Sequence, residues 1–256
     1  MYGADICVTA AALKRVEGSS SHARELLKTN TLGTANVIDA ALDCAVPRTI
    51  FLSSDKGLMP TNAYGKSKAL AEDLMIEGNS LAGARPIRFS SVRYGNILGS
   101  TGSVLDLWRA AVVRGEPLPM TLPEMTRFFM PVQSAVELVV SVADFMQGGE
   151  IFCPEMPRAR LVDLAEAAYP RHPQCFYGER PGGEKTSEAL IGEDEARHTY
   201  RRVGGLIYSI EPQEPGWDQD RQPVGTLVES GFTLRSDTPP LLNVDELREL
   251  LEHAKV

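Results

Sequence analysis

The sequence predicts an α/β fold built on a parallel sheet, and three observations carry that expectation. Short apolar runs alternate with periodic segments of more than ten residues, the pattern of repeated strand–helix–strand units. Several of the runs are followed by small polar residues, and the carboxyl ends of strands are where open α/β sheets bind ligands. The chain has 256 residues, 43% of them hydrophobic, which is enough for a sizeable core in one large domain or one and a half.

The first run, Asp5-Ile6-Cys7-Val8, is strand-like and passes into Thr9-Ala10-Ala11-Ala12-Leu13-Lys14. Small residues there let a ligand approach the backbone, although Ala-rich runs are also ordinary helix. Residues 21–45 keep a helical period through Leu26, Leu27, Leu32, Val37, Ile38, Ala41 and Leu42. Within them Gly33 and the threonines beside it weaken the helix, which predicts close packing against a neighbour. Pro47 ends this unit. Thr49-Ile50-Phe51-Leu52 is then a short buried strand, followed by Ser53-Ser54-Asp55-Lys56.

A loop with Pro60 opens a helix at 64–80 that begins Tyr64-Gly65-Lys66-Ser67-Lys68. Positions four apart share a helix face, so Tyr64 and Lys68 reach a common point. The cation is expected to draw the phenol's pKa toward neutrality, where proton transfer is efficient. That spacing alone is common by chance. The acid and amine of Asp55 and Lys56, at a preceding strand end, make it a candidate acid/base cluster.

Pro86 to Val92 is the next strand, then come Arg93-Tyr94-Gly95-Asn96 and the loop Gly99-Ser100-Thr101-Gly102-Ser103 before a helix from Val104 to Val113. Amides at such a helix start suit an anion, and a plain connection fits the pattern equally well. Residues 115–131 are loop-like but contain Met125-Thr126-Arg127-Phe128-Phe129-Met130. Arg127 in this apolar setting needs a partner, either a phosphate or a nearby carboxylate. A helix at 132–146 and a strand at 150–153 return to the core pattern. Beyond Pro154 the clearest elements are helices at 159–169 and 244–253. Arg180-Pro181-Gly182-Gly183-Glu184-Lys185 reads as a turn, and 209–225 as a polar surface loop.

Net charge is −8, which argues against a nucleic-acid surface. Cys7, Cys44, Cys153 and Cys175 lack metal spacing, so no metal site is expected and the thiols read as those of a cytoplasmic protein. No apolar run approaches the ~18–20 residues of a membrane span, and no signal peptide is visible.

Together the motifs at 10–14, 28–34, 53–56, 64–68, 93–96, 99–104, 125–128 and 180–185 resemble the extended short-chain dehydrogenase/reductases. They are most similar to the UDP-N-acetylglucosamine 4,6-dehydratase branch of the polysaccharide-biosynthesis group, over about residues 4–200. The Asp55-Lys56 pair separates that branch from the superfamily's epimerases and other dehydratases.

The resemblance implies a Rossmann-like parallel sheet in residues 1–153, with a substrate-binding loop at 95–130, and a smaller C-terminal substrate-binding region at 154–256. It implies NAD or NADP held by Ala11, Ala12, Lys14, Asn30, Ser53, Tyr64 and Lys68. It places a UDP-sugar against Asn96, Ser103, Val104, Thr126, Arg127, Arg180 and Glu184. Tyr64, helped by Lys68, would take the 4-hydroxyl proton as hydride leaves C4. Lys56 would remove the C5 proton, Asp55 would protonate the departing 6-hydroxyl, and hydride would return to C6. The product is a UDP-4-keto-6-deoxy sugar for surface polysaccharide or glycan biosynthesis, inverted at C5 where Lys56 reprotonates the opposite face. A homo-oligomer is expected by analogy.

Departures from the family pattern are Thr9, Ser54, an extra Gly in 180–183, and the absence of a Gly-rich dinucleotide fingerprint before residue 4. At ~30 residues per βαβ unit, about 70 residues are expected to be missing from an N-terminally truncated sheet. Two readings therefore stand: the catalytic body of a 4,6-dehydratase, or a shortened non-catalytic homologue that binds a nucleotide sugar or a partner protein through an exposed edge near 4–9. A nucleotide-sugar epimerase or reductase of the same superfamily is a third.

Overall fold

The computed structural model describes residues 1–14, 19–178, 183–202, 204–213, 215–218 and 220–255. The chain forms two compact units that interleave in sequence. The first comprises Met1–Tyr94, Val139–Glu155 and Ala189–Leu234; the second comprises Gly95–Leu138, Met156–Glu188 and Arg235–Val256. The expected division at residue 153 is thus replaced by one in which 189–234 return to the sheet unit.

In the first unit β1 (Ile6–Thr9), β2 (Arg48–Leu52), β3 (Arg88–Val92) and a strand at Ile151–Pro154 lie parallel in that order. The register pairs Val8 with Ile50, Ile50 with Ser90, and Val92 with Phe152. Parallel strands need crossovers, and helices supply them. Antiparallel strands at Ile207–Ile210, Thr199–Arg201 and Thr226–Leu227 extend the sheet. Sequence reading placed part of this addition in a surface loop, because the strands are short and polar. The core under β2 and β3 packs Phe51, Phe89 and Ile87 against Ile38 and Ala41 of one helix and Ala71 and Met75 of another.

The helical run predicted at 21–45 is present but composite. A π-helical turn, Leu27–Leu32, separates Ala23–Leu26 from Gly33–Asp43. The predicted weakness near Gly33 is therefore a change of helix type, and π turns of this kind cluster at functional sites. Helix Ala63–Ala82 starts on Asn62, whose side chain accepts from Gly65 N at 2.9 Å. That cap satisfies one of the orphan donors of the first turn.

In the second unit a small sheet orders strands Asn96–Ile97, Thr126–Met130 and Arg158–Arg160, and Leu118–Met120 pairs with Gln174–Phe176. Helices Val104–Arg114, Leu161–Ala168 and Val244–Ala254 close around a core centred on Trp108, Phe129, Leu164 and Leu247. The indole N–H of Trp108 donates to the Pro119 carbonyl at 3.0 Å, so this large side chain is buried with its polar handle satisfied.

Candidate active site

β2 and β3 keep pairing beyond their formal ends. Ser53 N donates to Val92 O at 2.8 Å and Asp55 N to Tyr94 O at 3.0 Å, so the turn carrying Asp55 is fixed by the sheet. Ser54 caps the short 3₁₀ turn Asp55–Gly57: its hydroxyl accepts from Lys56 N at 3.3 Å and donates to Asp55 Oδ1 at 2.9 Å. The Lys56 ammonium meets the same Oδ1 at 2.9 Å. Asp55 is fully buried, yet its Oδ2 has no partner among the described residues. A buried carboxylate oxygen without a donor is costly, so this atom is a ready acceptor or proton carrier for an incoming hydroxyl.

Tyr64 and Lys68 follow on helix 63–82, both buried and one turn apart. The helix can approach the turn because residue 65 is glycine: a Cβ there would stand 2.2 Å from the Lys56 carbonyl oxygen. Lys68 Nζ donates to Leu52 O at 2.7 Å and sits over the Phe51 ring. Burial pulls its pKa down to about 8, while Glu72 opposes the fall. Tyr64 behaves otherwise than the sequence suggested. Burial first, and then the Asp55 charge, push the phenol up to about 12, against a hydrogen bond with Ser54 that lowers it. The expected acidification does not prevail, because the phenol is dry and faces a carboxylate.

Asn30, in the π turn, joins this cluster to the segment after β1. Its Oδ1 accepts from Leu13 N at 2.7 Å, and its Nδ2 donates to Leu13 O at 3.3 Å and to Ser67 Oγ at 2.9 Å. Ser67 Oγ in turn donates to Tyr64 O at 2.7 Å. Ala11, Ala12 and Lys14 lie in that extended segment, and Ala11 and Lys14 are exposed. Ser53 is buried, with its hydroxyl unpartnered among the described residues. Asp55, Lys56, Tyr64, Lys68, Asn30 and Ser53 thus lie in one unit.

The other predicted residues that the structure describes lie in the second unit. Asn96 pairs across to Phe129, Ser103 is the N-cap residue of helix 104–114 with its hydroxyl unbonded among the described residues, and Val104 is that helix's first residue. Arg127 takes the carboxylate of the two partners expected for it: Nη2 meets Glu184 Oε1 at 3.0 Å, and its other donors reach the Thr126, Lys185 and Thr186 carbonyls. Thr121 donates to the second Glu184 oxygen at 3.1 Å, and Thr126 bonds Ser236 at 2.9 Å. Arg180 lies outside the described residues.

Sequence reasoning passed over the groups behind the cluster. Tyr94 is largely buried, and burial followed by Tyr64 raises its phenol to about 12. Buried Arg93 forks onto Glu72 at 3.0 and 2.7 Å and reaches Glu195 at 2.9 Å. One signal was available: Glu72 falls one turn after Lys68, on the helix face that otherwise carries the buried residues.

A family model described as "Polysaccharide biosynthesis protein" matches residues 1–208. The UDP-N-acetylglucosamine 4,6-dehydratase (inverting) of Campylobacter jejuni is 36% identical over 264 residues, covering all of this chain and 78% of the relative. The UDP-glucose 4-epimerase of Rickettsia rickettsii is 36% identical over 199 residues, covering 76% of this chain and 58% of the relative. Among solved structures, Pen from Bacillus thuringiensis superposes with a TM-score of 0.87 at 30% identity, over 99% of this chain and 77% of that one.

Proposed function

The chain belongs to the polysaccharide biosynthesis protein family, and from that premise we propose that it dehydrates UDP-N-acetylglucosamine, or a related UDP-N-acetylhexosamine, to the UDP-4-keto-6-deoxy sugar with the aid of NAD(P). The observation that carries the reading is Asp55: a fully buried carboxyl with one oxygen bonded to Lys56 and the other without a partner among the described residues, beside the Tyr64–Lys68 pair. An epimerase needs one acid/base group at C4. An acid and an amine held together beyond it suit the loss of water from C5 and C6.

The residues present fit the nicotinamide end of the cofactor. Ser53 Oγ is a buried hydroxyl in need of a partner, Lys68 brings a cation, and the Ala11-Ala12 backbone is open to contact. Ala11, Ala12, Lys14, Asn30, Ser53, Tyr64 and Lys68 would hold it. Bound there, NAD(P) supplies a hydride acceptor for C4 and a hydride donor for C6.

Tyr64, as the phenolate that the Lys68 ammonium stabilises, takes the 4-hydroxyl proton. Lys56, as the neutral amine, takes the C5 proton once a 4-keto group has made it acidic. Asp55 gives its proton to the departing 6-hydroxyl through Oδ2. A neutral Asp55 no longer opposes the phenolate, so the acid step and the base step favour each other's protonation states. The Campylobacter relative is named as inverting; here Lys56 returning a proton to the opposite face of C5 would invert that centre. Asn96, Ser103, Val104, Thr126, Arg127, Arg180 and Glu184 would hold the UDP-sugar.

The test is incubation with NAD(P) and UDP-N-acetylglucosamine, followed by mass spectrometry and NMR. A product lighter by one water supports the proposal. An isomer of unchanged mass supports the epimerase reading, which the Rickettsia relative motivates. Cofactor binding without turnover supports a non-catalytic homologue.

A further inference from the structure

Behind the acid/base pair lies a buried chain of charges that the reaction as drawn leaves idle. Glu72 is one helical turn beyond Lys68, on the same face, and both are buried. Arg93 grips it with two parallel bonds, Nε to Oε1 at 3.0 Å and Nη2 to Oε2 at 2.7 Å. The remaining nitrogen, Nη1, reaches Glu195 Oε1 and Oε2 at 2.9 and 3.0 Å and the Leu190 carbonyl at 2.9 Å. Glu195 also accepts from Gly192 N at 2.8 Å, so the 3₁₀ turn Glu193–His198 is bound into the same network. A planar guanidinium held at all three nitrogens cannot rotate away, and it fixes Glu72 as a bidentate partner does.

The anchoring reaches the reacting residues along two routes. Through Glu72 it holds the helix that carries Tyr64 and Lys68. Through the backbone it holds Tyr94, the next residue, whose carbonyl receives the Asp55 amide. We propose that Glu72, held by Arg93, is a positioning residue for the acid/base pair, setting the helix that carries Tyr64 and Lys68 and placing a fixed carboxylate one turn from the Lys68 ammonium.

Three sequence-distant charges spent on a purely structural tie would be an expensive choice, since buried ion pairs seldom stabilise more than apolar residues of the same size. A functional role accounts for the arrangement. Burial alone drives the Lys68 amine toward neutrality, and Glu72 is the group that resists this. The other charged and titratable groups facing this region are Asp55 and Lys56 on the 55–57 turn, Arg93 and Tyr94 beyond β3, Glu195, and Cys153 on the strand beside β3, with Asp73 on the helix itself. Among the described residues, the helical run 20–43 adds the neutral Asn30, Thr31 and Thr34 to the buried polar set.

The inference rests on the reading of Tyr64 and Lys68 as acid and base, so its test includes a readout that needs no substrate. Side-chain NMR follows the Lys68 amine through its titration in the unaltered protein, in Glu72→Gln and in Glu72→Asp. Removing the charge is expected to move the Lys68 midpoint about one unit lower, a tenfold change in its protonation equilibrium. Glu72→Asp, which keeps the charge, restores most of it. In turnover, kcat for Glu72→Gln falls about tenfold on the alkaline side while KM for the UDP-sugar holds, because the alkaline limb moves with Lys68.

An unmoved Lys68 midpoint in folded Glu72→Gln overturns the proposal. Should that variant not fold, Glu195→Gln, further from the amine, is expected to shift the midpoint the same way by less, and no shift there overturns it equally. If Lys68 titrates as expected and no dehydrated product forms, the reading of the reaction fails and the charge relation stands.

Discussion

Lys68 sits where the proposed chemistry needs a cation, and folding works against that charge. The amine titrates near 10.5 in the unfolded chain and about 8 in the folded one. Between those values the unfolded state binds more protons, so stability rises with pH from about 8 to about 10.5, and below 8 the full penalty applies. Lys68→Met is therefore expected to raise stability at pH 7 by on the order of 2 kcal/mol, after the lost bond to Leu52 O is subtracted. The gain vanishes above pH ~10.5, which urea unfolding at several pH values will show. The same variant should lose at least ~100-fold in kcat. Asp55→Asn removes the charge that holds the Tyr64 phenol high. Its phenolate absorbance should appear at lower pH than in the parent, though still above the ordinary value because burial persists, and dehydration should fall ~100-fold or more. Spacing and a strand-end position marked Asp55, Lys56, Tyr64 and Lys68 as a candidate cluster, and the family resemblance gave them roles. Their electrostatics were not legible, because burial and the orphaned Asp55 oxygen depend on a three-dimensional enclosure that no local pattern encodes.

Gly65 joins two elements. An exposed helical Gly→Ala change ordinarily stabilises by ~1 kcal/mol. Here the added carbon would collide with the Lys56 carbonyl and with Pro60 Cβ at 2.9 Å. Gly65→Ala is expected to reverse that sign, costing about 1–3 kcal/mol and displacing the Asp55–Lys56 turn, with thermal unfolding and kcat falling together. The helix was read at 64–80 and runs from 63 to 82, since its cap and its apolar face are local signals. The π turn was legible only as weakness: Gly33 and the threonines mark a place where an ordinary helix is strained, but not how the strain resolves. The strands at 118–120, 199–201 and 226–227 escaped because two or three residues are too few to carry a period.

At the scale of the whole chain, the return of residues 189–234 to the sheet unit depends on charges buried far apart in sequence. Glu150 is fully buried and accepts from Ser90 Oγ, Gln147 N and Gly148 N at 2.7, 2.7 and 2.8 Å. Arg221 bridges it to Glu211, and Arg202 lies against Phe145 and Phe152. Arg221→Met would leave two buried carboxylates facing Arg202 alone. The expected loss is about 3–5 kcal/mol in denaturant unfolding, with faster proteolysis within 211–225. Sequence reading saw only a polar, proline-rich stretch there, since a buried ion cluster and a solvated loop have the same composition.

Asn30 completes this picture in another respect. Its single amide serves Leu13 as a strand neighbour would and also supports Ser67, which holds the Tyr64 carbonyl. Asparagine is a thermolabile residue. Deamidation would turn a donor into an acceptor, facing a backbone carbonyl and a hydroxyl that both need one, and would add a charge in a dry place. Chemical ageing of one nitrogen would thus loosen the segment after β1 and the start of the helix that carries Tyr64 together, so the working lifetime of the proposed site is tied to the lifetime of that amide.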